Sequence, residues 1–264
     1  MAVLDTAEDF RIGRVVSRLF NALFANLGVF LPLAALLTIP NLLLTLYTTS
    51  HLTSSGLTPA GALAAGGASA FFRLIALQSL VYIILSFILQ AALVQGTITY
   101  LNDERPGLGQ SFSSALKLLV PLIVIAILSG LAIMAGMMLL LVPGIILALM
   151  WSVVVPVRMV ENTGITETFG RSRALTKGYR GKIFLLVLMY LVIAIAIGFA
   201  TRPLFGVSML AKTLTEFNAV YLVVDWAERV VLAAITAVGV ASVYYELRLV
   251  KEGIGAQQMA AAFD

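Results

Sequence analysis

The sequence predicts an all-α polytopic membrane protein with about six transmembrane helices and further amphipathic helices lying at the interface. Three observations carry this. Hydrophobic residues make up 61% of the 264-residue chain and charged residues 11%, whereas soluble domains are roughly 25% charged. Mean hydropathy is +1.03. Apolar runs close to the ~20 residues a helix needs to cross ~30 Å of hydrocarbon recur along the chain. A soluble enzyme is therefore excluded as the whole chain, and residues 1–264 read as one integral membrane domain. With no cysteine and a single histidine, His51, zinc, haem and iron–sulfur sites lack their usual ligands, so no metal and no cofactor is expected. The net charge of +4 reads as topology and contact with anionic lipid, and no nucleic acid is expected as a partner.

Residues 8–25 begin the chain with an in-plane helix. At ~100° per residue, Arg11, Arg14 and Arg18 share one arc with Ser17 and Asn21, opposite Ile12, Val15, Val16, Leu19, Phe20 and Leu23. This pattern predicts arginines at lipid headgroups and an apolar face in the acyl boundary. The first span, 27–47, follows acidic as well as basic residues, and no small-residue cleavage site comes after it, so it reads as a retained span. An uncharged loop over 48–70 carries a short helix between Thr58-Pro59 and Gly66-Gly67. The second span, 74–99, ends at the polar turn 102–107, where Asp103-Glu104 reads as solvated. A weaker amphipathic piece, 111–119, places Phe112, Ala115, Leu116 and Leu119 on one face.

Spans three and four form a hairpin: 118–142 crosses, Pro143 and Gly144 break the helix, and 145–160 returns, with Pro156 and Arg158 at its far end. About 15 residues reach only ~22 Å, which predicts local thinning or a start inside the membrane. A second interfacial helix is expected over 163–177, capped by Asn162 or Thr163 and stopped at Lys177-Gly178. Its Ile165, Phe169 and Leu175 lie between Arg171 and Arg173, so the arginines are placed to snorkel. Counting Lys177, Arg180 and Lys182 as well, less Glu161 and Glu167, this loop carries +3. Each basic group beside an anionic leaflet contributes ~1 kcal/mol. Span five is 183–200, closed by Thr201-Arg202-Pro203, and span six is 224–247, carrying Asp225, Glu228 and Arg229: either its membrane part begins near Val230, with Asp225 and Arg229 one turn apart and able to pair at the interface, or charge is held inside the bundle. Thirteen Lys and Arg fall on one side of this topology and four on the other, so the rich side, with both termini, is expected to be cytoplasmic.

Pro143-Gly144, Pro156, Glu161, Arg171-Ser172, Leu175-Thr176-Lys177-Gly178 and Tyr244-Tyr245-Glu246-Leu247-Arg248 together resemble the glycerophosphoryl diester phosphodiesterase membrane domain family and related bacterial membrane families. The ordered set runs from Pro143 to Arg248, and the N-terminal amphipathic helix with the first span fits the same plan. Tyr179-Arg180-Gly181 departs from the aromatic, often Trp, expected nearer the next span. The resemblance implies a multi-pass protein of the bacterial cytoplasmic membrane. It does not imply phosphodiesterase activity, because the soluble catalytic domain and its histidines are not in this sequence.

The function expected from these residues is a non-catalytic membrane module that binds lipid or an amphiphile, or scaffolds an envelope partner. Membrane lipids are the expected partners, with a second copy of the chain or an envelope protein as further candidates. Glu161 is placed to reach Arg158, Arg171 or Arg173 and tie the surface helix to the bundle, against the alternative of a solvated interface pair. The competing function is a small transporter or exporter component, with Pro143, Gly144, Pro156 and the intramembrane Gln78, Gln90 and Gln95 forming a broken-helix site, set against plain interhelical hydrogen bonding. No nucleophile elbow, P-loop or dinucleotide fingerprint occurs, and an enzyme is not expected.

Overall fold

A computed structural model describes residues 9–54, 68–102, 105–201 and 219–253. The loop helix near Pro59, the Asp103-Glu104 pair and the Arg202-Pro203 stop lie outside the described residues. In chain order the helices are α1 (Ile12–Ala25), α2 (Leu27–Ser54), α3 (Ala68–Leu101), α4 (Leu108–Lys117), α5 (Leu119–Leu139), α6 (Leu141–Met150), α7 (Val154–Glu161), α8 (Ile165–Thr176), α9 (Arg180–Thr201) and α10 (Ala219–Glu252). There is no strand among the described residues. Among the described residues, six apolar helical stretches are long enough to cross a membrane: 27–48, 76–101, 119–139, 141–161, 180–201 and 222–252.

The sixth stretch is the hub, with 61% of its apolar window buried against 6% for the fifth. It packs on α1, α2, α3 and α9. Its inward residues Ala234, Ala237, Val238 and Ala241 are buried, and small side chains at four-residue spacing let neighbouring backbones close in. Helices α5 and α9 instead present rows of exposed Leu, Ile, Val and Met, the surface expected to face lipid. Gly96 on α3 marks a tight seam, because a Cβ there would lie 2.9 Å from Phe30 Cε1 and 3.3 Å from Ser111 Oγ. Only a bare backbone lets α2, α3 and α4 meet. Ser111 and Ala115 supply the buried face of α4, while Phe112 and Leu116 point outward, so the apolar face read from the sequence is divided between bundle and surroundings.

The hairpin corrects two expectations. The break falls at Leu140, whose backbone is extended, and α6 already runs through Pro143 and Gly144. Pro143 is tolerated in the first turn because its missing N–H would have no partner there. Gly144 is a contact residue: Gly136 packs on it, with its own Cβ position 3.1 Å from Gly144 Cα. The return leg then covers 21 residues, 141–161, about 31 Å at 1.5 Å per residue, so it is not short.

A second interruption lies within that leg. Residues 151–153 form a turn between α6 and α7, where the Val154 N–H goes to the Trp151 carbonyl and leaves the Met150 carbonyl outside the ladder. Ser172 Oγ from α8 takes it over, donating at 2.9 Å, and Thr176 Oγ1, which shares its one proton with the Ser172 carbonyl at 2.9 Å, stands 3.2 Å away. Trp151 also sits edge-on to Phe169, centroids 5.0 Å apart. The buried face of α8 is thus Thr168, Ser172, Leu175 and Thr176. Ile165, Phe169 and Leu175, expected on lipid, pack on the bundle instead, Leu175 being buried, and the Ser172 hydroxyl beside them answers the carbonyl that the broken span leaves free. The N-cap of α8 also moves, to Gly164, whose N–H donates to Glu167 Oε2 at 3.0 Å; Asn162, at φ 45°, ends α7 instead. The double variant Ser172→Ala, Thr176→Val removes both donors and should lower unfolding stability by about 2 kcal/mol. Each single change should cost less, because the other hydroxyl remains; equal stability of the double variant and the wild type by thermal unfolding would show that the carbonyl needs neither.

Candidate functional site

Two constellations stand out, one at the basic end of the bundle and one along the middle of α10. At the basic end the organising group is Glu246, fully buried among Tyr244, Tyr245 and Leu247. Its Oε1 accepts the Arg11 backbone N–H at 3.1 Å and Arg14 Nε at 2.9 Å, and its Oε2 accepts Arg18 Nη1. The Arg18 guanidinium also lies 4.8 Å from the Tyr245 ring centroid. An ionised carboxylate this deep is tolerated only with such charge-assisted partners. Arg14 and Arg18 were expected at lipid headgroups, and that reading is corrected: the border between the basic and apolar arcs of α1 faces α10, with Val15 and Ala22 buried beside the arginines and Phe24 left 64% exposed. Arg11 keeps an exposed side chain.

A second carboxylate, Glu161 at the end of α7, accepts Arg171 Nε at 2.6 Å on Oε2 and the Tyr244 hydroxyl at 3.0 Å on Oε1. Arg171 bridges onward to Glu252, which also accepts Arg248 Nε at 2.9 Å. Burial alone would pull Arg171 down, but its hydrogen bonds to Glu161 and Glu252 outweigh that and hold its pKa above the ordinary value. Of the three partners open to Glu161 the structure selects Arg171. Arg158 turns away to the Thr163 carbonyl and to Asn162 Oδ1, capping its own helix end, and Arg173 is exposed. Lys182 reaches back to α1's approach, donating to Asp9 Oδ2 at 2.6 Å and to the Phe10 carbonyl at 2.8 Å. The hydrogen bond from Lys182 holds the Asp9 carboxyl below its usual range. Phe10 stacks on Tyr179, centroids 5.5 Å apart. Lys177 is exposed and Arg180 half-buried.

Sequence reasoning named Glu161 and Arg171 but missed Glu246, Tyr244, Arg248 and Glu252 as a working group. A signal existed: Glu246 is the one acidic residue in the apolar run 230–247, and an ionisable group in such a run implies a partner.

Between α1, α6–α7, α9 and α10 lies a groove of about 220 Å³, lined by Val15, Leu19, Phe20, Leu186, Val187 and Val240 among others. Two further cavities follow α10 toward the opposite end. A chamber of about 340 Å³ is lined by Ser86, Gln90, Tyr190 and Thr236, and a vestibule of about 500 Å³ by Asn41, Thr45, Gln78, Asp225, Trp226 and Arg229. Adjacent cavities share walls: Tyr82 and Arg229 line both vestibule and chamber, and Tyr190 and Thr236 line both chamber and groove. Gln78 and Gln90 therefore line space, whereas Gln95 is buried and lines none of the three. Pro143 and Gly144 belong to the hairpin contact, and Pro156 is buried in α7. Asp225 and Arg229 pair as expected, Arg229 Nε donating to Asp225 Oδ2 at 2.7 Å, and Glu228 accepts the Thr201 hydroxyl at 3.1 Å. Among the described residues no group of three or more His, Asp or Glu gathers as a metal site would need. Comparison of the chain with protein-family models, with curated proteins and with solved structures finds no match.

Proposed function

We propose that this polytopic helical protein is a non-catalytic membrane module that binds a lipid or similar amphiphile. The observation that carries the reading is the groove beside α1: nearly every group facing it is aliphatic or aromatic carbon, and its rim residues Phe20 and Val187 are exposed. A crevice of that chemistry at a membrane-facing surface suits an acyl chain. The end of the bundle nearest the groove also carries exposed Arg11, Arg173 and Lys177, which suit the anionic headgroups of the surrounding leaflet rather than the head of the lipid held in the groove. Glu161 accepts hydrogen bonds from both Arg171 and Tyr244, and this meeting of three residues that carry the resemblance is what we set beside a kinship with the glycerophosphoryl diester phosphodiesterase membrane domain family. From that resemblance we propose a bacterial cytoplasmic membrane, and from the thirteen-to-four split of Lys and Arg an orientation with this cluster inside. Single cysteines introduced into this cysteine-free chain at Ala60 and Ala174 test the orientation: external reagent should label position 60 and spare 174, and the reverse pattern rejects it.

Val187→Trp tests the lipid reading by filling the rim without entering the core. Excluding two or three CH₂ groups from burial at ~0.8 kcal/mol each weakens binding by about 2 kcal/mol, roughly 30-fold. The expected result is a matching loss of lipid carried through purification at unchanged helicity; undiminished lipid per protein would reject the reading. The alternative, a small transporter or exporter component, draws support from the shared walls of the three cavities. It requires movement of a solute across proteoliposomes containing the protein, and their impermeability to every tested solute would leave binding as the function.

A further inference from the structure

The vestibule has an unusual balance of hydrogen-bonding groups. Three of its donors are spent within the protein: Gln78 Nε2 donates to Thr45 Oγ1 at 2.7 Å, Thr45 Oγ1 to the Asn41 carbonyl at 2.8 Å, and Trp226 Nε1 to Thr38 Oγ1 at 2.8 Å. Its acceptors are not. Asn41 Oδ1 is buried without a hydrogen-bond partner, and the Asp225 carboxylate receives two N–H groups from Arg229 of the roughly four its lone pairs can take. The space between therefore calls for a group rich in N–H, next to a guanidinium that suits an anion. A primary ammonium one short linker away from a phosphate meets both demands.

The geometry continues downward. From Arg229, ten residues of α10 lead to Gly239 on the wall of the groove, about 15 Å at 1.5 Å per residue, which is half of the ~30 Å hydrocarbon core and so the depth of one leaflet. We propose that vestibule, chamber and groove form one furrow for an amphiphile with an ethanolamine-phosphate type of head, the ammonium on Asn41 Oδ1 and Asp225, the phosphate toward Arg229, and the chain along α10. This rests on the lipid-binding reading above and specifies the head that the furrow selects.

Native mass spectrometry of the full chain, titrated with phosphatidylethanolamine, phosphatidylcholine and phosphatidylglycerol of identical chains, tests it. Phosphatidylethanolamine should bind at least about tenfold more tightly than the other two, since choline has no N–H and glycerol no positive charge. Asp225→Asn, at a half-exposed pair whose loss spares the fold, and Asn41→Leu should each reduce that preference to within about twofold. Free phosphoethanolamine at the same concentration should not compete, because it brings no chain. Equal retention of the ethanolamine and choline lipids, or a preference that survives both substitutions, overturns the head site; competition by phosphoethanolamine overturns the lipid as its source. Failure of selectivity with lipid still lost in Val187→Trp leaves the groove reading standing, whereas lipid retention unaffected by Val187→Trp removes that reading whatever the headgroup.

Discussion

Glu246→Gln is expected to release α1 from the bundle and to lower stability by about 3 kcal/mol, the lower end of what breaking a buried ion pair costs. The carboxylate is fully buried while Arg14 and Arg18 keep 23% and 22% of their side chains exposed, so water offsets part of the lost pairing. The substitution leaves two guanidinium groups facing a neutral amide at the mouth of an apolar bundle. Thermal unfolding in detergent should report the loss, and trypsin should cut more readily at Arg14 and Arg18 in the variant. A triple variant, Arg14→Met, Arg18→Met, Glu246→Leu, should recover much of the stability, because apolar groups of similar volume avoid the desolvation penalty that the lone charges suffer. Unchanged melting and cleavage in Glu246→Gln would mean that α1 is held by its apolar contacts alone.

Gly144→Ala should be the most damaging single-methyl change in the hairpin. The new Cβ would lie 2.4 Å from Met137 Cγ, 2.7 Å from Met137 N and 2.9 Å from Met137 Cα. A side chain can rotate away, but backbone atoms cannot, so α5 and α6 must separate. Overpacking costs about 1–3 kcal/mol when neighbours can yield, and here the upper end is expected. Gly130→Ala supplies the control on the same hairpin, since its Cβ meets nothing within 4 Å and alanine favours helix over glycine by up to ~1 kcal/mol. The two variants should therefore shift the melting temperature in opposite directions, and a neutral Gly144→Ala would show that the hairpin seam is looser than its backbone contact implies.

These two sites mark the boundary between what was legible in the residues and what was not. The six spans were legible because hydrocarbon thickness sets a length and composition that a one-dimensional string displays directly. The amphipathic character of α1, the stop at Lys177-Gly178 and the Asp225–Arg229 pair were equally plain, since each depends on neighbours within about two turns. The Gly144 seam was half legible: Pro143-Gly144 announced a turn, but the helix restarts before the pair, and the glycine's role is to admit α5. The face on which α8 docks was not legible, because its buried hydroxyls answer a carbonyl freed more than twenty residues upstream, at Met150. Nor could a helical wheel show that Arg14 and Arg18 face inward, since their partner Glu246 lies over two hundred residues away.

The sequence by itself determined the membrane as solvent and about six helices long enough to cross it, both of which follow from sums over local segments. Tertiary structure alone decided which charges meet. Burying Glu246 and Glu161 is costly unless cations arrive from other helices, and the packing of α1, α8 and α10 brings Arg14, Arg18 and Arg171 within hydrogen-bond reach of them. The same packing aligns three cavities along one face of α10 and leaves acceptors such as Asn41 Oδ1 waiting at the far end. Such placements depend on distances between remote helices, which no local pattern encodes.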